Sequence, residues 1–505
     1  MQKLKNIILP ILLSSIGYIL IVYYILNGSE DVVASDYIRI INYYLSDVHD
    51  LSLLFSWEGI SRIPITFLFR IINVDIFHYS VFFDKIIGVV GLFLFNFVVL
   101  YYISKNIKNN IIKFLSSVLI SIIVFSLIGW EMILNGTGYP HFLAIGLYSL
   151  IYYLYTFSFL NDNKKSIVKN LLFIIFVLLT STLVAGPYMV APIFTIILFS
   201  VINMLFKNSK NKLTFVSMFI ITGLANYMLV FLARYKFLND EYGMSSRYAI
   251  QYMFLIIGLI LTLVLYIDNF LLVDSQNVYD NFKTNNIEKN KMDFKYIILI
   301  VACIISILLY LKSNSTGEAL VPVGIKDVSL FYILTHDIYF VLSFLIKSLA
   351  SSIIGVETFK YAITMGTATE KVIYGVGILY LIVIIYCLYI HIVMFLYMSG
   401  IKNIYKNRQN YKKYNFINTF KLLICSFIMI SFFAGHMLTN YTEITKMPVR
   451  KYIYQNLKNI ALYIENTPDE ELPDIFEYHR GSDKIKNAIE ILKKNKLNIF
   501  YDGKY

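Results

Sequence analysis

Charged side chains are scarce in this chain. Asp, Glu, Lys and Arg make up 15% of its 505 residues, whereas hydrophobic residues make up 58%. A soluble domain of this size cannot bury so much apolar surface. The composition therefore excludes a soluble globular protein and predicts an all-α polytopic membrane protein.

Cysteines are also few, and the motifs of common soluble chemistry are missing. Cys303, Cys387 and Cys425 all fall inside apolar runs and are odd in number, so neither a disulfide framework nor a metal site of cysteines is expected. The sequence contains no CxxC, P-loop, G-x-S-x-G or GxGxxG. A built-in site for hydrolysing cytosolic nucleotides is therefore not expected.

Long apolar runs are abundant instead. At about 20 residues per crossing, about eleven transmembrane helices are predicted. They cover 7–26, 82–103, 112–128, 141–160, 170–186, 188–206, 213–232, 248–272, 296–311, 372–398 and 416–436. Residues 1–436 are thus expected to form a transmembrane domain, followed by a more polar tail at 437–505.

The distribution of lysine predicts how the chain is oriented. "SKNIKNNIIK", "NDNKKSIVKN" and "KNIYKNRQNYKKYN" are basic, whereas the alternating loop at 129–140 has no Lys or Arg. By the positive-inside rule, the N-terminus is cytoplasmic and the C-terminus lies outside the cell membrane. Residues 27–81, 233–247, 312–371 and 437–505 then share the extracytoplasmic side. The basic loops also account for the net charge of +12, so nucleic acid is not an expected partner.

The outer segments carry helical patterns of their own. "DYIRIINYYL" and "IPITFLFRIINV" have helical apolar spacing, which predicts short helices lying on the membrane surface. In the tail, Ser482 is a candidate N-cap, and Ile485, Ala488, Ile489 and Leu492 share one apolar face, which predicts a small C-terminal cap. Residues 329–355 are amphipathic and favour an interfacial or re-entrant pair of helices, with the question of a crossing left open.

The first loop holds the strongest candidates for chemistry. In "EDVVASDYIRI", Asp36 lies about ten residues beyond the first span, with Arg39 on the same helical face. "SWEGISR" adds Glu58 and Arg62. A carboxylate here suits a general base, or a ligand for a divalent cation at a lipid phosphate. The alternative is an ordinary solvated loop.

Aromatic residues beside acids suggest a place for a sugar. The chain has two tryptophans, and each precedes a glutamate, as Trp57–Glu58 and Trp130–Glu131. Such a pair fits either the interfacial aromatic belt or a platform on which a sugar ring stacks. "NGTGYPHF" ends near His141, either a satisfied interfacial histidine or a substrate contact.

Arg247 and Tyr248 stand where a loop enters the membrane before the run 248–272. A guanidinium at head-group depth can fork onto phosphate oxygens. It can also be a snorkelling anchor, or a partner of Asp240 or Glu241. Both interpretations of Arg247 stay open at this point.

The layout resembles the GT-C superfamily of integral-membrane glycosyltransferases. The resemblance rests on the cytoplasmic N-terminus, the acidic first loop with surface helices, the number of spans and the outward C-terminal cap. "SSRYAIQYMF" and "ILKKNKLNIFYD" also look like stretches of bacterial surface-polysaccharide membrane proteins. The resemblance implies that a loop-one aspartate is the catalytic base or a metal ligand. Asp36 matches by position, with Glu58 or Asp31 sharing the role, although the loop lacks an Asp-x-Asp or Glu-x-Asp pair.

The expected function is transfer of a sugar from a polyprenyl-phosphate carrier to a surface glycan or lipid acceptor. Arg247, with Arg39 or Arg62, would hold the phosphate. Alternatives are a polysaccharide polymerase or ligase, a flippase or transporter of lipid-linked oligosaccharides, and a non-catalytic membrane subunit. Span interiors nearly free of charge weigh against ion-coupled transport. Membrane lipids are expected partners, while a divalent cation, the sugar and the oligomeric state stay open.

Overall fold

Long apolar runs form helices because a backbone away from water must satisfy its own N–H and C=O groups. The computed structural model describes residues 2–33, 36–55, 63–161, 167–205, 212–234, 246–272, 294–314, 338–354, 366–398, 414–466 and 482–503. Within these ranges every regular element is a helix, which confirms the predicted all-α class.

The described residues form seventeen α-helices, numbered in chain order. Those of the first half are α1 Gln2–Gly28, α2 Asp36–Tyr44, α3 Pro64–Phe77, α4 Val81–Asn106, α5 Asn110–Val124, α6 Trp130–Leu134, α7 Tyr139–Phe157, α8 Ile167–Leu179 and α9 Val190–Leu205. Those of the second half are α10 Lys212–Arg234, α11 Ala249–Leu272, α12 Phe294–Asn314, α13 Ile338–Ile354, α14 Thr367–Met398, α15 Tyr414–Thr445, α16 Met447–Asn466 and α17 Ser482–Lys494.

Eight segments of the described chain are long and apolar enough to cross a membrane, as expected of a multi-pass membrane protein. They are Asn6–Gly28, Val81–Asn106, Asn110–Leu134, Ile167–Ala185, Leu213–Val230, Ala249–Asp268, Phe294–Leu311 and Lys371–Tyr389. The predicted count of eleven is therefore not supported.

Three predicted crossings do not belong to this set, each for its own reason. The run 141–160 forms α7, whose many tyrosines lower its mean hydropathy. The run 188–206 forms α9, which has only 16 residues. The run 416–436 lies in α15, where the side chains of residues 414–424 lie outside the described ones. Residues 338–354, within the amphipathic segment 329–355, form the single helix α13.

Close helix contact builds the centre of the bundle. A Cβ at Gly91 of α4 would collide with the backbone at Phe142 of α7, and one at Gly146 would collide with the carbonyl oxygen of Gly91. Glycine thus lets the two backbones approach where any larger residue would hold them apart. The segment Ala249–Asp268 of α11 is the most enclosed of the eight, with 89% of its most apolar window buried.

Several neutral polar side chains inside the bundle are paired with one another. Asn96 donates to the Ser14 hydroxyl at 3.0 Å. The Tyr152 and Thr222 hydroxyls lie 2.5 Å apart. His391 of α14 meets the Ser217 hydroxyl at Nδ1, 2.7 Å, and a threonine hydroxyl at Nε2, 3.0 Å. Such internal pairing is what a low-dielectric surrounding demands.

A second, smaller core forms the cap, defined here as α2, α3, α17 and the 3-10 turn Asn498–Gly503. The cap core includes Tyr37, Ile41, Tyr44, Phe67, Tyr79, Ala488, Ile489, Leu492, Ile499 and Phe500. The helices predicted in the first loop and in the tail are therefore present. Ala488, Ile489 and Leu492 are buried as their spacing predicted, with Ile485 packed against the same core.

Hydrogen bonds also join the first loop to the tail. Asn487 of α17 donates to the Asn42 side chain of α2 at 2.7 Å. The Asn498 amide donates to the His78 carbonyl oxygen at 2.7 Å, and the His78 ring stacks on Tyr501. Segments more than 400 residues apart along the chain thus share one packed unit. The end of the bundle that carries this unit is called the cap end below.

The contact between α2 and α17 can be tested by crosslinking. We expect an Asn42→Cys/Asn487→Cys variant to form a disulfide under mild oxidation, because the two native side chains are in hydrogen-bond contact. The native cysteines of the described chain are buried and do not compete. Mass spectrometry of a proteolytic digest would identify the linked peptides. Each single-cysteine variant is the control, and failure of the pair to crosslink would contradict the docking of α17 on α2.

Candidate functional site

Asp31, in the acidic part of the first loop, contacts the start of α4 next to the cap. The Asp31 carboxylate accepts a hydrogen bond from the Ser80 hydroxyl at 2.8 Å and one from the Val81 amide at 2.6 Å. Val81 is the first residue of α4, so Asp31 caps this helix from a distant part of the chain, where the helix dipole favours a negative charge. Asp31 is thus committed to holding the loop in place.

Asp84, in the first turn of α4, is the buried acid of the site. Its carboxylate accepts from the Tyr37 hydroxyl at 2.8 Å and from Asn73 at 3.4 Å. The Arg70 guanidinium lies near enough to attract it and stacks over the Tyr44 ring. Burial, followed by the charge of Asp84, raises the pKa of Tyr37 well above its usual value, so this phenol remains a donor.

Lys85 is the buried cation of the site, with 3% of its surface exposed. Its ammonium donates to the Ser29 hydroxyl at 2.9 Å and to the Glu30 carbonyl oxygen at 3.4 Å. It also lies about 5 Å from the ring centroids of Phe82 and Tyr454. Among the described residues, no carboxylate oxygen comes within 4.0 Å of it. An ammonium has three donors, so one is left for an anion.

A second charged pair lies nearby, where α15 meets α16. Glu443 is fully buried, and Arg450 donates to its Oε2 through both Nε and Nη2. The Arg450 guanidinium also stacks on Trp130, 3.1 Å from the ring centroid. One face of the Trp130 ring is thus occupied by Arg450 and is closed to a stacked sugar.

The other predicted residues are placed around this end of the bundle. The Glu131 carboxylate accepts from the Ser246 hydroxyl at 2.9 Å, which brings the turn Ser246–Tyr248 beside α6. Tyr248 is buried. His141 is buried in the first turn of α7 with its ring against Tyr188. Arg39 is half-buried on α2.

Several predicted residues lie outside the described part of the chain. Asp36 begins α2 and is followed by the site residue Tyr37, but its side chain is not described. The side chain of Arg247 is not described either. Trp57, Glu58 and Arg62 fall in residues 56–62, also outside the description.

The sequence placed Asp84 at the mouth of the second span, and sequence reasoning did not select Lys85, Glu443 or Arg450 as site residues. "FFDKII" sets an acid and a base at the start of a long apolar run, which is the signal for Asp84 and Lys85. "EITKMPVR" spaces Glu443 and Arg450 seven residues apart, two helical turns. Nothing in the sequence shows that Tyr37 would meet Asp84, 47 residues away.

The described acids do not gather into an obvious metal centre. No group of three or more His, Cys, Asp or Glu side chains with metal-binding geometry occurs among the described residues. Asp31 and Asp84 already accept hydrogen bonds on both carboxylate oxygens.

Comparisons of this chain with protein-family models, with curated proteins and with solved structures find no match.

The Arg450→Met variant tests how much the free energy of unfolding falls when Glu443 is left buried without its ion-pair partner. We expect Arg450→Met to lower the free energy of unfolding by about 3–5 kcal/mol, because Glu443 keeps its charge and loses its main partner. The double variant Glu443→Gln/Arg450→Met should recover most of this loss. Thermal unfolding in detergent is the measurement. The control is Lys451→Met, whose partly exposed pair with Glu30 at 3.7 Å should contribute no more than about 1 kcal/mol.

Tyr37→Phe tests the hydrogen bond to Asp84 alone. The substitution removes one hydroxyl and leaves a buried carboxylate with a weaker set of donors, so we expect a loss of about 1–3 kcal/mol. Tyr43→Phe is the matched control, because Tyr43 lies on the same helix and is 48% exposed. Equal stability of the two variants in a thermal unfolding assay would show that the Tyr37 hydroxyl contributes nothing.

Proposed function

We propose that this chain is a membrane glycosyltransferase, which moves a sugar from a polyprenyl-phosphate carrier to a hydroxyl of a surface glycan or lipid acceptor. The observation that carries the proposal is Lys85, a buried cation whose direct hydrogen bonds go to neutral groups, at the end of a membrane-spanning segment and near the acids Asp31, Asp84 and Glu30. In this proposal the cap end faces out of the cell, as the basic loops predict.

Lys85 is the group that holds the phosphate of the carrier. It is the fifth residue of α4, near the end of the apolar run where lipid head groups lie. The ring faces of Phe82 and Tyr454 lie against the ammonium. Two of its three donors are used by Ser29 and Glu30, so the third is open to a phosphate oxygen. Arg247 and Arg39 remain candidates for a second contact to the phosphate oxygens.

Asp36 is the general base. It begins α2, and the next residue, Tyr37, is fixed by the buried Asp84, so the start of this helix is held firmly at the site. The acceptor hydroxyl attacks the anomeric carbon while the bond from that carbon to the phosphate oxygen breaks. The proton of the hydroxyl passes to Asp36, and the carrier leaves as a lipid phosphate. Lys85 stabilises the charge that grows on this leaving group.

The distribution of polar groups favours this proposal over ion-coupled transport. Transporters place ionisable groups near the middle of the bilayer. In the described spans several interior polar groups are neutral and pair with each other, with His391 between two hydroxyls. The buried charges Asp84, Lys85, Glu443 and Arg450 lie instead around the cap end. A polymerase or ligase would share the phosphate contact and differ in its acceptor.

Native mass spectrometry of the purified full chain in mild detergent tests the proposal. Loss of a general base slows transfer by about 10²–10⁴-fold, so polyprenyl-phosphate sugar should accumulate on the Asp36→Asn variant. The Lys85→Met variant should lose the bound carrier because it lacks the cation, while methionine suits the apolar surroundings and keeps the fold.

The matched controls lie close in sequence to the tested elements. Asp47→Asn removes an exposed acid just after α2, and Lys105→Met removes a lysine at the far end of α4. Both should retain the carrier as the parent chain does. Absence of any polyprenyl carrier from every sample, or unchanged carrier in Lys85→Met, would overturn the assignment.

A further inference from the structure

The exposed side of α15 is apolar almost to the end of the helix. Large apolar side chains recur there every three or four residues, which is the spacing of one helical face. They are Phe427, Ile430, Phe433, Met437, Leu438, Tyr441 and Ile444, each between 42% and 69% exposed. In a multi-pass membrane protein, lipid chains cover a surface of this kind.

The apolar surface continues on α16, which follows α15 after a single residue. Val449, Tyr452 and Ile453 are 60%, 62% and 50% exposed. At 3.6 residues per turn, these three side chains fall within an arc of about 100°. Gln455 is also exposed but points about 160° away from Ile453. The exposed surface of α16 is thus apolar on one side and polar on the other, as in helices that lie at a boundary between lipid and water.

α16 lies at the level where membrane-spanning segments end. Met447 packs against Gly28, the last residue of the first such segment, where an added Cβ would come within 3.3 Å of its side chain. The Tyr454 hydroxyl donates to the carbonyl oxygen of Leu134, the last residue of another, at 3.1 Å. The Tyr454 ring also lies 5.1 Å from the Lys85 ammonium, near the start of α4. Contacts to the ends of three spans place α16 at the depth of the lipid head groups.

The inner side of α16 is fixed to the bundle. Arg450 is buried, pairs with the fully buried Glu443 and stacks on Trp130. Turning the apolar side of α16 inward would leave Glu443 buried without this partner, which is strongly unfavourable. The apolar side therefore stays outside, where a surrounding medium has to cover it.

Lysines border the apolar side. The Lys446 and Lys451 side chains are 40% and 38% exposed. Long lysine side chains at this depth place their ammonium groups among lipid phosphates, and tyrosine is also enriched there. Lysine next to exposed Tyr452 therefore matches an anionic lipid surface in charge and in polarity.

We propose that the side of α16 formed by Val449, Tyr452 and Ile453 is inserted into the head-group region of the lipid bilayer at the cap end. The covering medium is lipid because this surface continues the lipid-facing side of α15 and is bordered by cations. The tail at 437–505 is thus divided: α16 belongs to the membrane surface, whereas α17 belongs to the cap. This inference does not depend on the proposed transferase activity.

Spin labelling of the full chain tests the proposal. Ile453→Cys and Gln455→Cys are labelled separately in lipid nanodiscs of phosphatidylglycerol and phosphatidylethanolamine, and the three native cysteines are buried. Collisions of each label are measured with oxygen, which concentrates in the bilayer, and with a water-soluble nickel chelate. We expect the label at Ile453 to collide more with oxygen and the label at Gln455 more with nickel. Gln455 is the matched control, because it lies two residues away on the same helix.

Three results would overturn the proposal. A label at Ile453 that collides mainly with nickel would mean that water covers the apolar side. A label at Ile453 that neither reagent reaches would mean that protein covers it, such as a second copy of the chain. Oxygen-dominated collisions at both positions would mean that α16 is wholly inside the bilayer and not at its surface. Absence of a polyprenyl carrier would remove the transferase proposal and leave these collision measurements unaffected.

Discussion

The hydrogen bonds that Ser80 and Val81 donate to Asp31 are the contact on which the cap end depends. They tie the loop that leaves α1 to the first turn of α4. Once that connection is made, Ser29 and Glu30 face Lys85, and Tyr37 comes opposite Asp84. An acid at a helix N-terminus is favourable by itself, and here it also places a buried acid and a buried base side by side.

Burial gives these charges their importance. A charge removed from water is stabilised by hydrogen bonds or by an opposite charge. The charged residues of the cap end differ in how many such partners they have. Asp31 and Asp84 are well supplied with donors, and Glu443 has Arg450. Lys85 has a hydroxyl, a carbonyl oxygen and two rings in direct contact, with the charges of Asp31, Asp84 and Glu30 nearby.

Helices were predictable because their signal is local. The apolar residues of α2, α3 and α17 recur once per helical turn, and the structure forms all three helices. The number of membrane spans was harder to predict. Tyrosine-rich α7 has too low a mean hydropathy, and α9 is too short to cross a membrane. At the site, residues singled out for their loop position, such as Asp31, proved to have structural partners, while Lys85 was overlooked inside an apolar run.

The sequence by itself determined the class of the protein and its helices, because composition and periodicity act over short stretches of chain. Only the tertiary structure decided which polar groups meet. Tyr37 and Asp84 are 47 residues apart, and Asn42 and Asn487 are 445 apart. His391 finds two hydroxyls from other helices. Hydrogen bonds depend on angstrom-scale distances between atoms, and those distances come from the packing of helices distant in sequence.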